Sequence, residues 1–211
     1  MKKILSTICI CILTLQMTSC KTEAKKEDQK ETKTVKEEEK SSAAFSLKTA
    51  KNDINFTAYK TTEKVPVKGV FTKIEVLKGG EGNSVKEAMN GVEFKIPVSG
   101  IETKDNSRNY KIQKFFFGVM ENTINLTGKL SLNDDTKGSA EFTMNGVTEK
   151  LPFEYTIEGN IFTMKTVMDI EKWNARNAVE SLNVACKELH KGADGVSKTW
   201  SEVTINVVST F

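Results

Sequence analysis

Apolar and polar residues alternate with a period of two from about residue 44 to the end of the chain, and this pattern limits the fold most. Successive side chains of a β-strand point to opposite faces, so alternation is typical of strands with one buried face. About eight or nine sequential strands of this kind predict a mainly β protein, either an antiparallel up-and-down barrel or a sandwich. The clearest runs lie at residues 92–98, 124–132, 151–157, 162–165 and 203–207.

Turn residues separate the alternating runs. Asn145-Gly146 is the strongest short hairpin signal, because a type I′ turn needs positive φ at both central residues. Residues 159–160 and 134–135 are further turn candidates. Around Gly69 the apolar positions change from odd to even numbers, which predicts a bulge or a sharp bend at this glycine.

Three segments break the alternation and are expected to be helical. A capping box at residues 84–87 opens a very short helix, and residues 105–117 start with cap residues and carry apolar side chains at helical spacing. The longest segment, residues 174–191, ends before Gly192, a typical helix stop. We therefore expect one longer helix before the last strand. Its apolar stripe is Val179, Leu182, Cys186 and Leu189.

The first 20 residues have the features of an export signal. Lys2 and Lys3 precede an apolar run that is too short for a stable membrane-spanning helix, which needs about 20 residues. The run closes with Thr-Ser-Cys, which resembles the site that the bacterial lipoprotein signal peptidase cleaves. We predict that residues 1–20 are a lipoprotein signal peptide and that Cys20 carries the lipid anchor. An ordinary secretory signal is the alternative.

Residues 21–43 are expected to form a charged, disordered tether. Lysines and acidic residues interleave along it, so it buries too little apolar surface to offset the entropy lost on ordering. Lys21 is not the acidic residue that retains lipoproteins at the inner membrane in some bacteria, so we expect the outer membrane or periplasmic side of the cell envelope. The net charge of +3 lacks the basic excess of a nucleic-acid surface.

Several loose motifs follow one another in a specific order, at residues 67–73, 98–103, 106–111, 115–119, 145–153 and 200–203. Together they resemble the YceI-like, polyisoprenoid-binding family. The likeness covers residues 45–211 and implies a lipocalin-like antiparallel barrel with a long apolar tunnel, in which members hold isoprenoid-type chains. Many relatives follow the loop arginine with an acid and a histidine, whereas Arg108 is followed here by Asn109, Tyr110 and Lys111.

Large apolar residues at inward-facing positions are the expected ligand contacts. Periodicity alone would let them simply fill the barrel, but the resemblance favours a ligand lining, and Met and Phe suit a flexible chain. Arg108 and Lys111, before the aromatic segment, are candidate partners for an anionic or quinone head, or else belong to a solvated loop. The apolar set is Phe56, Phe71, Phe94, Ile96, Ile124, Leu126, Phe142, Met144, Phe153, Tyr155, Phe162 and Met164.

The sequence thus predicts a cell-envelope lipoprotein that binds or carries a lipid-like molecule, with an isoprenoid or isoprenoid quinone as the leading class. We expect no catalysis, no cofactor other than a bound isoprenoid-type lipid, and no metal, because one histidine and one free thiol cannot supply four ligands. One alternative is a ligand-free surface interaction module. The other is a hydrolase in which Cys186 is the nucleophile and His190, four residues later, is the base.

Overall fold

A ten-stranded antiparallel sheet, curled into a half-barrel, forms most of the protein, which confirms the mainly β, lipocalin-like fold. The computed structural model describes residues 42–211, so Cys20, the signal segment 1–20 and nearly all of the tether 21–43 lie outside the described residues. In order across the sheet the strands are β4 (Glu75–Lys78), β6 (Glu93–Pro97), β8 (Asn125–Leu132), β9 (Lys137–Met144), β10 (Val147–Glu158), β11 (Ile161–Asp169), β12 (Glu202–Thr210), β2 (Lys51–Lys60), β3 (Val65–Phe71) and β7 (Ile101–Glu102).

The sheet has more strands than the eight or nine expected because its edges are short. β7 has two residues and β4 has four, which is too few for alternation to be recognised in the sequence. Two further short strands, β1 (Phe45–Ser46) and β5 (Glu81–Gly82), pair with each other outside the main sheet. The long central strands follow the expected pattern: in β11 the alternate residues Phe162, Met164, Thr166 and Met168 are buried, and the residues that separate them are half-buried or exposed.

The predicted turn residues form the expected hairpins. Asn145 and Gly146 have φ values of 53° and 69°, the positive pair that a type I′ turn requires, and they join β9 to β10. Gly159, with φ of 60°, lies in the turn between β10 and β11. Gly69 was expected at a bulge or a sharp bend, and the bulge does not occur: β3 keeps a continuous register with β2 through the Phe56–Gly69 pair.

Three α-helices lie at the two ends of the sheet: α1 (Val85–Met89), α2 (Asn106–Phe115) and α3 (Arg176–Ala185). Single 3-10 turns follow or precede them at Val98–Gly100, Phe117–Val119, Ile170–Trp173 and Lys187–Leu189. We call the end of the sheet with α3 and the 145–146 turn the α3 end, and the opposite end, with α1 and the 133–136 turn, the α1 end. None of the helices within residues 42–211 has the length and hydropathy of a membrane span.

The helix expected over residues 174–191 is shorter than predicted. Asn174 has a left-handed backbone, with φ of 54°, so the chain cannot be helical there, and the helix starts at Arg176. At the other end Cys186 leaves helical geometry, and a 3-10 turn follows. The stripe therefore breaks: Val179 and Cys186 are buried, whereas Leu189 is 58% exposed.

The described residues, 42–211, belong to one compact unit, which contains their strands and one continuous core. Trp173 and Phe162 are almost fully buried in it, and the Trp173 indole N–H donates a hydrogen bond of 2.8 Å to the carbonyl of Phe142. Because the core of the described residues is complete within this unit, we expect it to fold without the preceding residues.

Candidate functional site

An apolar cavity of about 190 Å³ lies inside the curl of the sheet. Its lining includes residues from strands on both sides of the curl and extends from Leu47 at the α1 end to Trp200 at the α3 end. Cavities of roughly 150 Å³ with apolar walls stay dry and accept guests such as benzene. The protein's own side chains therefore leave room for an apolar ligand.

Nine of the twelve apolar residues predicted from the sequence line the cavity. They share inward positions on the strands, where period-two alternation points them away from solvent. Met144, Met164 and Leu126 contribute flexible or branched aliphatic surface. The nine are Phe56, Phe71, Phe94, Ile96, Leu126, Phe142, Met144, Phe162 and Met164.

Phe153 and Tyr155 face inward but do not line the cavity. Both are buried in an aromatic cluster, in which the Tyr155 ring stacks on Phe162 at 5.4 Å and the Phe153 ring meets Tyr155 edge-on at 6.3 Å. The Tyr155 hydroxyl donates a hydrogen bond to the carbonyl of Asp134. This cluster packs the interior near the 133–136 turn, so the two residues fill the barrel and do not line its cavity.

Ile124 was expected to face the interior, and this prediction is wrong. Its side chain is 81% exposed, because β8 begins only at Asn125 and Ile124 lies in a bend before it. Its carbonyl accepts a hydrogen bond from Val98 N–H at 3.0 Å. In the sequence, the alternation that includes Leu126 extends back to Ile124, but the strand itself starts only at Asn125.

Helical residues close much of the α3 end and were not among the predicted ligand contacts. Ile112 and Phe116, one turn apart on α2 and at its cap, line the cavity together with Val179 and Leu182 of α3. Their helical spacing was visible in the sequence. The sequence did not show that α2 and α3 pack against each other over the cavity.

At the α1 end, two polar residues that line the cavity are hydrogen-bonded within the protein. Ser209, which is 1% exposed, donates a hydrogen bond of 2.7 Å to the side-chain oxygen of Asn52. The Asn52 amide in turn donates to the carbonyls of Leu47 and Ala50 at 3.0 and 3.1 Å. Because these groups already have partners, they place polar atoms against the cavity without requiring any from a ligand.

The α3 end carries a hydrogen-bonded polar group beside the cavity. His190 Nδ1 lies 2.6 Å from the hydroxyl of Thr199, a cavity-lining residue, and this hydroxyl donates to Asn183 Oδ1 at 3.0 Å. Burial, with help from nearby Lys60, Lys111 and Arg108 (all cations), lowers the pKa of His190 to about 4. The imidazole is therefore neutral at pH 7.

Arg108 and Lys111 lie on α2, at the α3 end, and do not line the cavity itself. The Arg108 guanidinium is 3.5 Å from the Asp105 carboxylate, which also accepts the Arg108 backbone N–H as the helix cap. Lys111 is partly buried. Both lie on the helix expected over residues 105–117, and not in a loop such as the family resemblance implied.

Cys186 and His190 do not share one helix, as the hydrolase alternative expected: α3 ends at Ala185, and a 3-10 turn separates the two residues. Burial raises the pKa of the Cys186 thiol, whereas a cysteine nucleophile needs a lowered pKa. Within residues 42–211 no hydrogen bond joins the two side chains; the bond between these residues runs from the His190 backbone N–H to the Cys186 carbonyl, at 2.9 Å. No group of three or more potential metal ligands occurs in the same part of the chain.

A curled antiparallel sheet around an apolar interior places the protein among lipocalin-like folds. More specifically, residues 45–211 match the YceI-like domain, and the chain belongs to this family. No curated protein matches the sequence.

Two solved structures share the fold. One is a polyisoprenoid binding domain from Saccharophagus degradans implicated in plant cell wall breakdown, with a TM-score of 0.54 and 11% identity over 75% of this chain and 91% of that one. The other is BcnA from Burkholderia cenocepacia, with a TM-score of 0.53 and 17% identity over 79% of this chain and 99% of that one.

Proposed function

We propose that this protein is a cell-envelope lipoprotein that holds a lipid-like molecule, with an isoprenoid or isoprenoid quinone as the leading class. The observation that carries the proposal is the apolar cavity, whose lining extends from the α1 end to the α3 end of the curled sheet. The likeness to a polyisoprenoid binding domain supports the choice of ligand class. Binding consists of moving an apolar chain out of water, without covalent chemistry.

Burial of an isoprenoid chain can supply enough free energy for binding. Each buried five-carbon isoprene unit contributes roughly 3–4 kcal/mol before costs are subtracted. Association and ordering oppose binding by several kcal/mol, so a chain of a few units is needed for useful affinity. The phenylalanine and methionine side chains around the cavity suit such a guest, since methionine adapts its shape at little cost.

The membrane anchor is part of the same proposal and depends on the sequence of residues 1–20. Acylation of Cys20 would attach the protein to the membrane through several hydrocarbon chains, and the tether 21–43 would let residues 44–211 reach lipids at or near the surface. Anchoring at the outer membrane, on its periplasmic side, fits Lys21 after the anchor.

The direct test is to identify what the protein carries from cells. Residues 21–211, expressed with an export signal in the source bacterium and purified without detergent, should release an apolar molecule on organic extraction, detected by mass spectrometry. Ala140, buried on β9, lines the cavity, so Ala140→Phe should fill it and reduce the extracted amount about tenfold or more.

Thr156→Phe is the matched control, because it adds the same ring to the outer, exposed face of β10 and should leave the extracted amount unchanged. Far-ultraviolet circular dichroism shows whether each variant folds. If the unaltered protein releases nothing, the ligand-free interaction module becomes the better description. Equal amounts from a folded Ala140→Phe variant would place the bound molecule outside the cavity.

A further inference from the structure

Positive side chains converge where α2 and α3 meet. Lys60 at the end of β2, and Arg108 and Lys111 on α2, all act electrostatically on His190 and on Cys186 at the end of α3. The charged groups that face His190 in this way are all cations. Side chains far apart in the sequence therefore create a local positive potential.

This positive charge is only partly compensated. Asp105 forms the ion pair with Arg108 at 3.5 Å. Lys60 donates to the backbone carbonyl of Leu189 at 2.9 Å and makes no ion pair with another described residue. The Lys111 side chain likewise makes no hydrogen bond or ion pair with a described residue, and the one carboxylate on which it acts, Asp105, is shared with Arg108. The cluster therefore has an excess of positive charge at a site that is partly shielded from water, where a charge interaction is stronger than at the open surface.

The cluster lies next to the cavity. His190 contacts Thr199, and Thr199 lines the cavity, as does Trp200, whose indole N–H donates 2.7 Å to the Thr61 carbonyl. Ile112, the residue after Lys111, and Leu182 on α3 line the cavity as well. A molecule with its chain among these apolar residues would bring its end to the cationic cluster.

We propose that the α3 end binds the anionic head of an amphiphile, a carboxylate or a phosphate, whose apolar chain lies in the cavity. This inference rests on the proposed function and narrows its ligand class. A neutral quinone head would gain hydrogen bonds here but would leave the excess charge of Lys60 and Lys111 uncompensated, whereas an anion satisfies both.

The hydrogen bonds of His190 define its part in the site. Thr199 donates its hydroxyl proton to Asn183, so it must accept from His190 Nδ1–H, which leaves Nε2 as the free acceptor of a neutral ring. An anion beside Lys60, Lys111 and Arg108 would offset the positive potential that disfavours the imidazolium. Binding of the anion should therefore make His190 easier to protonate.

The test compares three probes with the same chain: dodecanoic acid, dodecyl phosphate and dodecanol. Titration calorimetry with residues 21–211 near pH 7 should give at least one anion with about tenfold higher affinity than the alcohol. Lys111→Gln should remove most of this preference, and the double variant K60Q/K111Q should remove the rest. Lys165→Gln, on the outer face of β11, is the control and should preserve the preference.

The outcomes separate this inference from the function on which it rests. If the unaltered protein, freed of endogenous lipid, binds none of the probes, binding of an apolar chain in the cavity fails. If it binds all three equally, the cavity function stands and the anionic head is excluded. Preference for the carboxylate alone or the phosphate alone identifies which anion the site accepts.

The single histidine of the chain provides an independent readout. In an untagged protein, the His190 ring protons observed by nuclear magnetic resonance should titrate at a higher pH when the preferred anion is bound than when the cavity is empty. Dodecanol should not cause this change. An unchanged His190 titration with the anion bound would place the head elsewhere and overturn the inference.

Discussion

His190 shows how a single residue can depend on its neighbours more than on its own chemistry. Its ring is half-buried, contacts Thr199, and faces Lys60, Lys111 and Arg108 without a carboxylate among the groups that act on it. Burial and the nearby cations both disfavour the imidazolium, and the resulting pKa of about 4 keeps the side chain neutral at pH 7. The residue is thus a hydrogen-bonding group of the α3 end, and its pKa suits neither a base nor a surface cation at neutral pH.

The lowered pKa of His190 makes folding sensitive to acid. In the unfolded chain this histidine titrates near about 6.5, so between that pH and about 4 the unfolded state binds a proton that the folded state does not. The free energy of unfolding should therefore fall by about 1–2 kcal/mol over this range, after allowance for partial exposure. Urea unfolding across this range measures the loss.

His190→Gln separates this effect from the titration of carboxylates, because the amide can still reach Thr199 but does not titrate. The variant should lose less stability than the unaltered protein between about pH 6.5 and about pH 4. Equal losses in both proteins would mean that His190 is protonated at no extra cost in the folded state.

In two pairs of neighbouring strands, an aromatic ring packs against a glycine of the adjacent strand. Phe56 pairs with Gly69 across β2 and β3, and a Cβ on that glycine would lie 2.3 Å from the ring. Phe153 pairs with Gly138 across β10 and β9, with a corresponding distance of 2.4 Å. The absence of a side chain lets each ring lie flat on the neighbouring strand, so Gly69 serves packing and is not the site of a bulge.

The two pairs should respond differently to the same change. Phe153 is packed in the aromatic cluster and does not line the cavity. A Cβ on Gly138 would also lie 2.8 Å from the Ser131 carbonyl, so Gly138→Ala should cost about 1–3 kcal/mol of unfolding free energy. Phe56 borders the cavity and its ring can tilt into it, so Gly69→Ala should cost less. Denaturant unfolding of both variants checks this order, which is contradicted if Gly69→Ala is the more destabilising.

The boundaries of the elements were less predictable than their existence. The hairpin at Asn145-Gly146 and the cap at Ser84 depend on local backbone chemistry, and both occur as predicted. The extent of α3 and the exposure of Ile124 depend on where a neighbouring segment stops pairing or turns away. Such limits are set by tertiary packing, which overrides the local pattern.

At the scale of the whole molecule, the proposed function combines an apolar cavity in the unit Lys40–Phe211 with an anchor at the other end of the chain. In this proposal the two parts make separate contributions: the cavity would select the ligand, and the anchor would keep the protein close to the membrane that supplies it. Loss of either part should therefore leave the other intact.

Cys20→Ser should release the protein from membranes without affecting its cavity. A thiol is required for attachment of the first lipid, so the variant should move from the membrane fraction to the soluble or secreted fraction. Most of the unaltered protein should stay in the membrane fraction, held there by its acyl chains. Cell fractionation with metabolic labelling by a fatty-acid analogue measures this. Retention of a labelled Cys20→Ser variant in the membrane would contradict the anchor at Cys20.

The sequence by itself determined the class of fold, the inward face of most strands and nine of the twelve apolar residues now found around the cavity, because a period of two and turn residues are local properties of the chain. Only the tertiary structure decided that Phe153 and Tyr155 pack the interior, that α2 and α3 cover the α3 end, and that Lys60, Lys111 and His190 come together there. These are contacts between segments far apart in the chain, and no local pattern encodes which inward side chains meet one another and which leave a space.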